Sequence, residues 1–187
     1  RSIVVFTPVL ILGLLGVVAL YAKRNPHLVL LFSIASINLI LYSMWGDPYG
    51  GWAFGSRYLI PSYSIFSIFL AVALSSYNRN KVFMVIFIIC GIYSTFINTL
   101  GALTTSQNPP KVEAIPLSQI AGKEVKYTPE RNLDFAKEGK SKSFIWKEYL
   151  KKHISAFNYA LIISGSIATV IALLTIMLFL RKNKIES

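Results

Sequence analysis

Val82-Phe83-Met84-Val85-Ile86-Phe87-Ile88-Ile89-Cys90-Gly91-Ile92-Tyr93-Ser94-Thr95-Phe96-Ile97-Asn98-Thr99-Leu100-Gly101-Ala102-Leu103-Thr104-Thr105 contains no Asp, Glu, Lys, Arg or His. About 20 such residues, wound as a helix, cross a ~30 Å hydrocarbon core with every backbone polar group satisfied internally. Four more stretches lack charge in the same way: 2–21, 28–44, 58–77 and 154–180. The run 28–44 is the shortest, but without it the charges of the loops lose their pattern. A mean hydropathy of +0.56 is too apolar for a soluble domain, as is a chain 54% hydrophobic and 14% charged. The expected fold is an all-α polytopic membrane protein with five transmembrane helices and one outer loop region carrying short helices.

Orientation follows from the short loops. Lys23 and Arg24 follow the first run, Arg79 and Lys81 the third, and Arg181, Lys182 and Lys184 the fifth. Alternating spans put all three clusters on one face, which the positive-inside rule makes cytoplasmic. The loop 45–57 and the segment 106–153 then face outward. That segment carries ten Lys and Arg against six Asp and Glu, but long loops report orientation poorly. The formal net charge of +11 therefore reflects topology plus one outer region, and no nucleic-acid partner is expected. The expected organisation is four transmembrane helices over 1–105, an extracytoplasmic segment over 106–153, and a fifth transmembrane helix with a cytoplasmic tail over 154–187.

The outer segment divides by composition. Residues 106–116 read as turn-rich, with Pro109-Pro110 forcing extension. Thr128-Pro129-Glu130 supplies an N-cap, a proline at the first helical position and an acid in the first turn. This predicts a helix over 129–137, stopped by Gly139. Ser143 caps a second helix in which Ile145, Trp146, Tyr149, Leu150 and His153 alternate with Lys147, Lys151 and Lys152. That pattern predicts a basic, amphipathic helix in the outer interface, attracting anionic lipid headgroups.

The loop Trp45-Gly46-Asp47-Pro48-Tyr49-Gly50-Gly51-Trp52-Ala53-Phe54-Gly55-Ser56-Arg57-Tyr58-Leu59-Ile60-Pro61 holds four glycines and five aromatics. The glycines permit tight turns and close approach to a ligand. Arg57 offers a planar fork of donors suited to phosphate or carboxylate. An arginine placed where a span begins points to a site for something anionic at the bilayer surface. Asp47-Pro48 is also an ordinary turn opener, and an aromatic belt accounts equally for the tryptophans and tyrosines.

Trp45, Gly50-Gly51, Phe54-Gly55, Arg57-Tyr58-Leu59 and Pro61 resemble a recurring pattern, Trp…Gly-Gly-x-x-Phe-Gly-x-Arg-Tyr/Phe-Leu-x-Pro. It belongs to the C-terminal half of bacterial integral-membrane glycosyltransferases of the GT-C type, the group that includes protein O-mannosyltransferase-like enzymes. The resemblance implies a transferase moving a sugar from a polyprenyl-phosphate donor to an acceptor on the outer face of the plasma membrane. It implies that Arg57 binds the lipid phosphate. Trp45, Tyr49, Trp52 and Tyr58 would line the substrate site, and Asp47, the only carboxylate of the loop, would assist acceptor or metal binding. Enzymes of this group take their catalytic base from an acidic first outer loop, which is absent here. The chain starts at Arg1 and runs directly into an apolar stretch, so it is expected to be a C-terminal piece partnered by the remaining N-terminal part of the same protein.

Other chemistries find little footing. Cys90 is the only cysteine, and His27 and His153 stand apart from any second ligand, so neither an internal disulfide nor a metal site is expected. No nucleotide or redox-cofactor motif is present. A transporter or permease would place ionisable residues at midmembrane, whereas Asn38 and Asn98 are the most polar residues deep in the runs. Gly13, Gly16, Gly91 and Gly165 read as ordinary packing sites. A non-catalytic assembly subunit is the third class, and it would need no arginine-glycine-aromatic loop.

The topology is tested by single cysteines at Gly50, Asn80 and Lys137 in a Cys90→Ser background, probed with an impermeant thiol reagent. Gly50 and Lys137 should label from outside and Asn80 only after permeabilisation. Labelling of Asn80 alone from outside overturns the orientation.

Overall fold

A computed structural model describes residues 3–44, 51–55, 57–122 and 124–186, and all regular structure among them is helical. In chain order the elements are α1 (Ile3–Phe6), a 3₁₀ turn Pro8–Leu12, α2 (Gly13–Ala22), α3 (His27–Ser43) and a 3₁₀ turn Arg57–Leu59. There follow α4 (Ile60–Tyr77), α5 (Lys81–Leu103), α6 (Lys111–Ala121), α7 (Glu130–Lys137), a π-helical turn Trp146–Leu150 and α8 (Ala156–Glu186).

Among the described residues three helical stretches are long and apolar enough to cross a membrane: Arg57–Tyr77, Lys81–Leu103 and Ala156–Thr175. The other two expected spans are shorter apolar helices, Pro8–Ala22 and His27–Ser43. The first apolar run is not one helix because Thr7 leaves helical geometry (φ −146°, ψ 59°) and Pro8 has no N–H to continue it. The 17 residues of α3 rise only about 25 Å, since the helix closes at Ser43. A charge-free run counts such non-helical ends as if they were helix.

Helix α2 lies against α4 through small residues. A Cβ on Gly16 would stand 1.9 Å from the carbonyl oxygen of Phe69, and one on Gly13 would stand 2.8 Å from that of Phe66. The two backbones are in direct contact, as small residues allow between membrane helices. Phe69 and Ala73 of α4 are fully enclosed, and Leu20, Ala35 and Ile65 complete the cluster that adds α3. Asn38 and Asn98 are satisfied by neighbours: Ser62 Oγ donates to Asn38 Oδ1 at 2.5 Å, and Asn98 Nδ2 donates to Phe6 O at 3.0 Å. Gly91 and Gly165, expected to be packing sites, meet nothing within 4 Å.

The turns alternate between the two ends of the bundle. At one end Arg24 adopts a left-handed φ of 50° and Asn25 Oδ1 accepts the N–H of His27, closing the α2–α3 turn. Asn80 caps α5 by accepting the N–H of Phe83 at 3.1 Å, the satisfied donor that an N-cap side chain provides. At the other end lie Phe6, the loop 51–55 and the end of α5.

The outer segment is tied to α5 and α8 by polar staples. Asn132 of α7 is fully buried; its Nδ2 donates to Thr104 Oγ1 (3.0 Å) and Thr105 O (2.6 Å), and its Oδ1 accepts from Asn108 at 2.9 Å. The carbonyl of Leu103 accepts from Lys142 N (2.6 Å) and Ser141 Oγ (2.8 Å). Leu100, Ala136 and Ala160 form the apolar core beneath, at the junction of α5, α7 and α8. Lys126 bonds Asp134 at 2.9 Å with Glu130 at 3.9 Å. The hydrogen bond to Asp134 holds the Lys126 ammonium above the usual lysine pKa.

Of three local expectations, one holds and two are amended. The helix over 129–137 is α7, and Gly139 ends it with φ 71°. The stretch 106–116 is not all turn, for α6 starts at Lys111 and runs through Pro116 to a left-handed Gly122. Pro110 stands in the extended conformation before it and Glu113 occupies its first turn, so the start signals outweigh the one bond that Pro116 forfeits. The helix after Ser143 is a single π-helical turn. Ser143 Oγ does accept from Trp146 N (3.4 Å), but Trp146 is buried and its Nε1 donates to Ile154 O at 2.9 Å.

The α2–α4 contact yields a direct test. Gly16→Ala should destabilise the protein by about 1–3 kcal/mol or more, because a Cβ cannot fit against a backbone carbonyl. Gly165→Ala, facing open space, should leave the melting temperature in detergent unchanged. Equal melting of both variants would refute the close contact.

Candidate functional site

Gly51 and Gly55 both hold left-handed backbone, φ 63° and 68°, a region glycine enters without steric cost. Between them the chain buries Ala53 and sends Phe54 inward. The Phe54 ring meets Phe6 edge-to-face at 4.8 Å. On its other side it covers Gly101, where a Cβ would come within 2.5 Å of the ring. One aromatic side chain therefore seats the loop on α1 and on the last turn of α5.

Trp52 points the other way, exposed, and its Nε1 donates to Glu113 Oε2 at 2.5 Å. Helix α6 is thus linked to a loop some 60 residues away in sequence. No local pattern foretold Glu113. It stood among the acids of the outer segment, and only the fold brings it to Trp52.

Arg57 opens the 3₁₀ turn that leads into α4. Its guanidinium lies 5.2 Å from the centroid of the Tyr58 ring, with Nη2 3.4 Å from Tyr58 Oη. Tyr58 in turn stacks on Tyr42 of α3, with centroids 5.0 Å apart and planes 4° from parallel. The arginine thus rests on a two-ring platform built from α3 and the 3₁₀ turn that precedes α4. It remains exposed, and it forms no ion pair with any described residue. A guanidinium over an aromatic face keeps its outward N–H donors available for an anion.

The expected site residues are brought together only in part. Arg57 and Tyr58 touch, whereas Trp52 is engaged by Glu113, and no hydrogen bond or ring contact joins Trp52 to Arg57. Trp45, Asp47 and Tyr49 lie outside the described residues. Tyr42 joins the site without having been foreseen, because the sequence places it inside a uniformly apolar run. No group of three metal-ligating side chains occurs among the described residues, and Cys90 is a half-buried thiol in α5.

Cavities lie elsewhere. One of about 490 Å³ is lined by Tyr21, Arg24, Asn25 and Leu28, at the opposite end of the bundle. A second, of about 220 Å³, lies between α5 and α7 and is lined by Tyr93, Phe96, Leu100 and Leu133. Arg57 lines neither. Comparisons with protein-family models, curated proteins and solved structures found no match for the chain.

The seating of the loop predicts that Gly101→Val expels the Phe54 ring. Chymotryptic cleavage after Trp52 or Phe54 should then accelerate, while Gly91→Val, which meets no neighbour, leaves the rate unchanged. Unchanged cleavage in Gly101→Val would show that Phe54 does not hold the loop.

Proposed function

We propose that this chain forms part of a bacterial membrane glycosyltransferase that moves a sugar from a polyprenyl-phosphate donor to an acceptor on the outer face of the plasma membrane. The observation that carries it is Arg57, an exposed guanidinium without an ion-pair partner among the described residues, held on the Tyr58–Tyr42 stack at the head of a membrane-length apolar helix. A donor whose tail stays in the bilayer presents its phosphate at the depth where such a helix begins. Leu59 and Ile60, directly after Arg57, supply apolar surface for the first isoprene units, and Ile60 is exposed to receive them.

In this proposal Arg57 acts chiefly on the leaving group. Breaking the bond between sugar and phosphate leaves added negative charge on the lipid phosphate. A cation fixed before the reaction stabilises that charge more than it stabilises the bound donor. Tyr58 and Tyr42 limit the guanidinium's rotamers, so less freedom is lost on binding. Trp45, Asp47, Tyr49 and Trp52 complete the substrate site as the resemblance implies.

The same proposal places five helices across the bilayer. Helix α2 touches α4 along Gly13 and Gly16, so it shares the depth of a helix long enough to span. The deficit in length of α2 and α3 is met by local thinning and by interfacial side chains, at fractions of a kcal/mol per Å. The loop bearing Arg57 and the segment 106–153 then face outward.

Arg57→Ala in the full-length protein should lower sugar transfer by roughly 10–150-fold, the loss of a charge-assisted hydrogen bond worth about 1.5–3 kcal/mol. Arg57→Lys should recover only part of it, because lysine keeps the charge without the two-pronged geometry. Lys81→Ala, at the opposite end of the bundle, should transfer normally. Turnover in Arg57→Ala equal to that in Lys81→Ala would sink the proposed role.

A further inference from the structure

A lysine-lined concavity stands apart from the arginine platform. Where α5 ends and α8 begins, a groove of about 350 Å³ is lined by Lys140, Lys142, Lys147 and Lys151 together with Thr104 and Thr105. Lys140 is engaged by Glu138 at 2.6 Å. Lys142, Lys147 and Lys151 are exposed and form no ion pair with any described residue. These three like charges share one groove, and no acidic side chain is among the residues that line it. An anion would offset them.

The groove is built on rigid ground. Gly139, at φ 71°, turns the chain so that Ser141 and Lys142 are fastened to the carbonyl of Leu103 at 2.8 and 2.6 Å. Buried Trp146 sits in the wall, held by its bond to Ile154 O, and Ser143 Oγ lies 3.2 Å from Tyr159 Oη. Lys147 and Lys151 stand one turn apart on that wall. Both ends of the frame are helices of membrane-spanning length, α5 leading in and α8 leading out. Beside the lysines, Phe144 (69% exposed), Ile145 (56%) and Tyr149 (68%) project with no apolar cover, and Phe144 and Tyr149 pack edge-to-face at 6.3 Å.

From this juxtaposition we infer that the Lys142–Lys147–Lys151 groove is a binding site for the phosphate of an anionic phospholipid headgroup, with Phe144, Ile145 and Tyr149 inserted among the neighbouring acyl chains. Basic side chains at a membrane surface attract anionic headgroups additively, and adjoining aromatic and aliphatic side chains add apolar burial. The sequence pattern placed this stretch at the interface as a helix. The structure gives it a short π-helical turn that lines the groove with Lys147 and Lys151 and leaves Phe144, Ile145 and Tyr149 exposed. The site is independent of Arg57 and of the glycosyl-transfer proposal.

The test uses the purified 187-residue chain in neutral detergent, titrated with dihexanoyl phosphatidylglycerol, with dihexanoyl phosphatidylcholine and with inorganic phosphate. Phosphatidylglycerol should bind at least about tenfold tighter than either other probe, and Lys147→Gln/Lys151→Gln should weaken it by about tenfold or more. Lys111→Gln/Lys137→Gln, the same charge removed from exposed positions outside the groove, should change it less than about twofold. Lys147→Arg/Lys151→Arg should bind as the wild type does, which separates lost charge from lost fold. Equal loss in both Gln pairs, or no preference for phosphatidylglycerol over phosphatidylcholine, overturns the site. Inorganic phosphate binding as tightly as the lipid assigns the groove to free phosphate and overturns the lipid.

Discussion

At Gly16 the backbone of α2 meets the backbone of α4, with no room for even a methyl group between them. Much else hangs from that contact. In a lipid environment apolar side chains gain nothing by leaving one hydrocarbon medium for another, so helices associate where surfaces fit closely. Gly13 and Gly16 give that fit. With α4 anchored, Ala35 and Leu20 bring α3 into the same cluster. Tyr42 near the end of α3 then lies opposite Tyr58, and the platform under Arg57 follows from their stack. A bulkier residue at Gly16 would be felt at the loop some tens of residues away.

The other half of the molecule is organised by different physics. Around α5, α7 and α8 the apolar cluster is small, and buried amide and hydroxyl groups do the joining. Asn132 bonds Thr104, Thr105 and Asn108, and Leu103 receives two donors from the chain that returns after Gly139. A buried polar group left unpaired costs about 1–3 kcal/mol, so each of these bonds fixes the register of the outer segment on the helix ends. This rigid polar frame is also what sets the lysine groove and the α6 helix in place, the latter with Glu113 against Trp52.

Much of the local structure was legible from short-range chemistry. Helix α7 and its stop at Gly139 follow from proline, acid and glycine at their usual places. The charge-free runs located the apolar helices. Helix α6 was not read, although Pro110, Glu113 and Gly122 carry the same kind of signal. Pro109-Pro110 were read as extending the chain through 116, where they in fact lead into the helix. Trp146 was misplaced for a related reason. Its spacing with Ile145 and Tyr149 fits an amphipathic stripe, yet the carbonyl acceptor of Ile154, just before α8, draws the indole N–H inward.

The sequence alone determined that the chain is helical and strongly apolar, with charge confined to its connections, because an apolar run and its flanking lysines and arginines are local properties. It singled out Arg57 for the same reason: a lone cation in a glycine-aromatic loop is visible without any partner. The structure decided how the first apolar run is divided, since Thr7 leaves helical geometry before Pro8, whereas α3 is as short as the 17-residue run that encodes it. It also decided the company each site keeps. Tyr42 under Tyr58, Glu113 on Trp52, and three lysines around one groove join residues far apart in the chain or turned to one side by a single glycine. Such meetings depend on where helices cross and how loops are seated, and no periodicity along the chain encodes them.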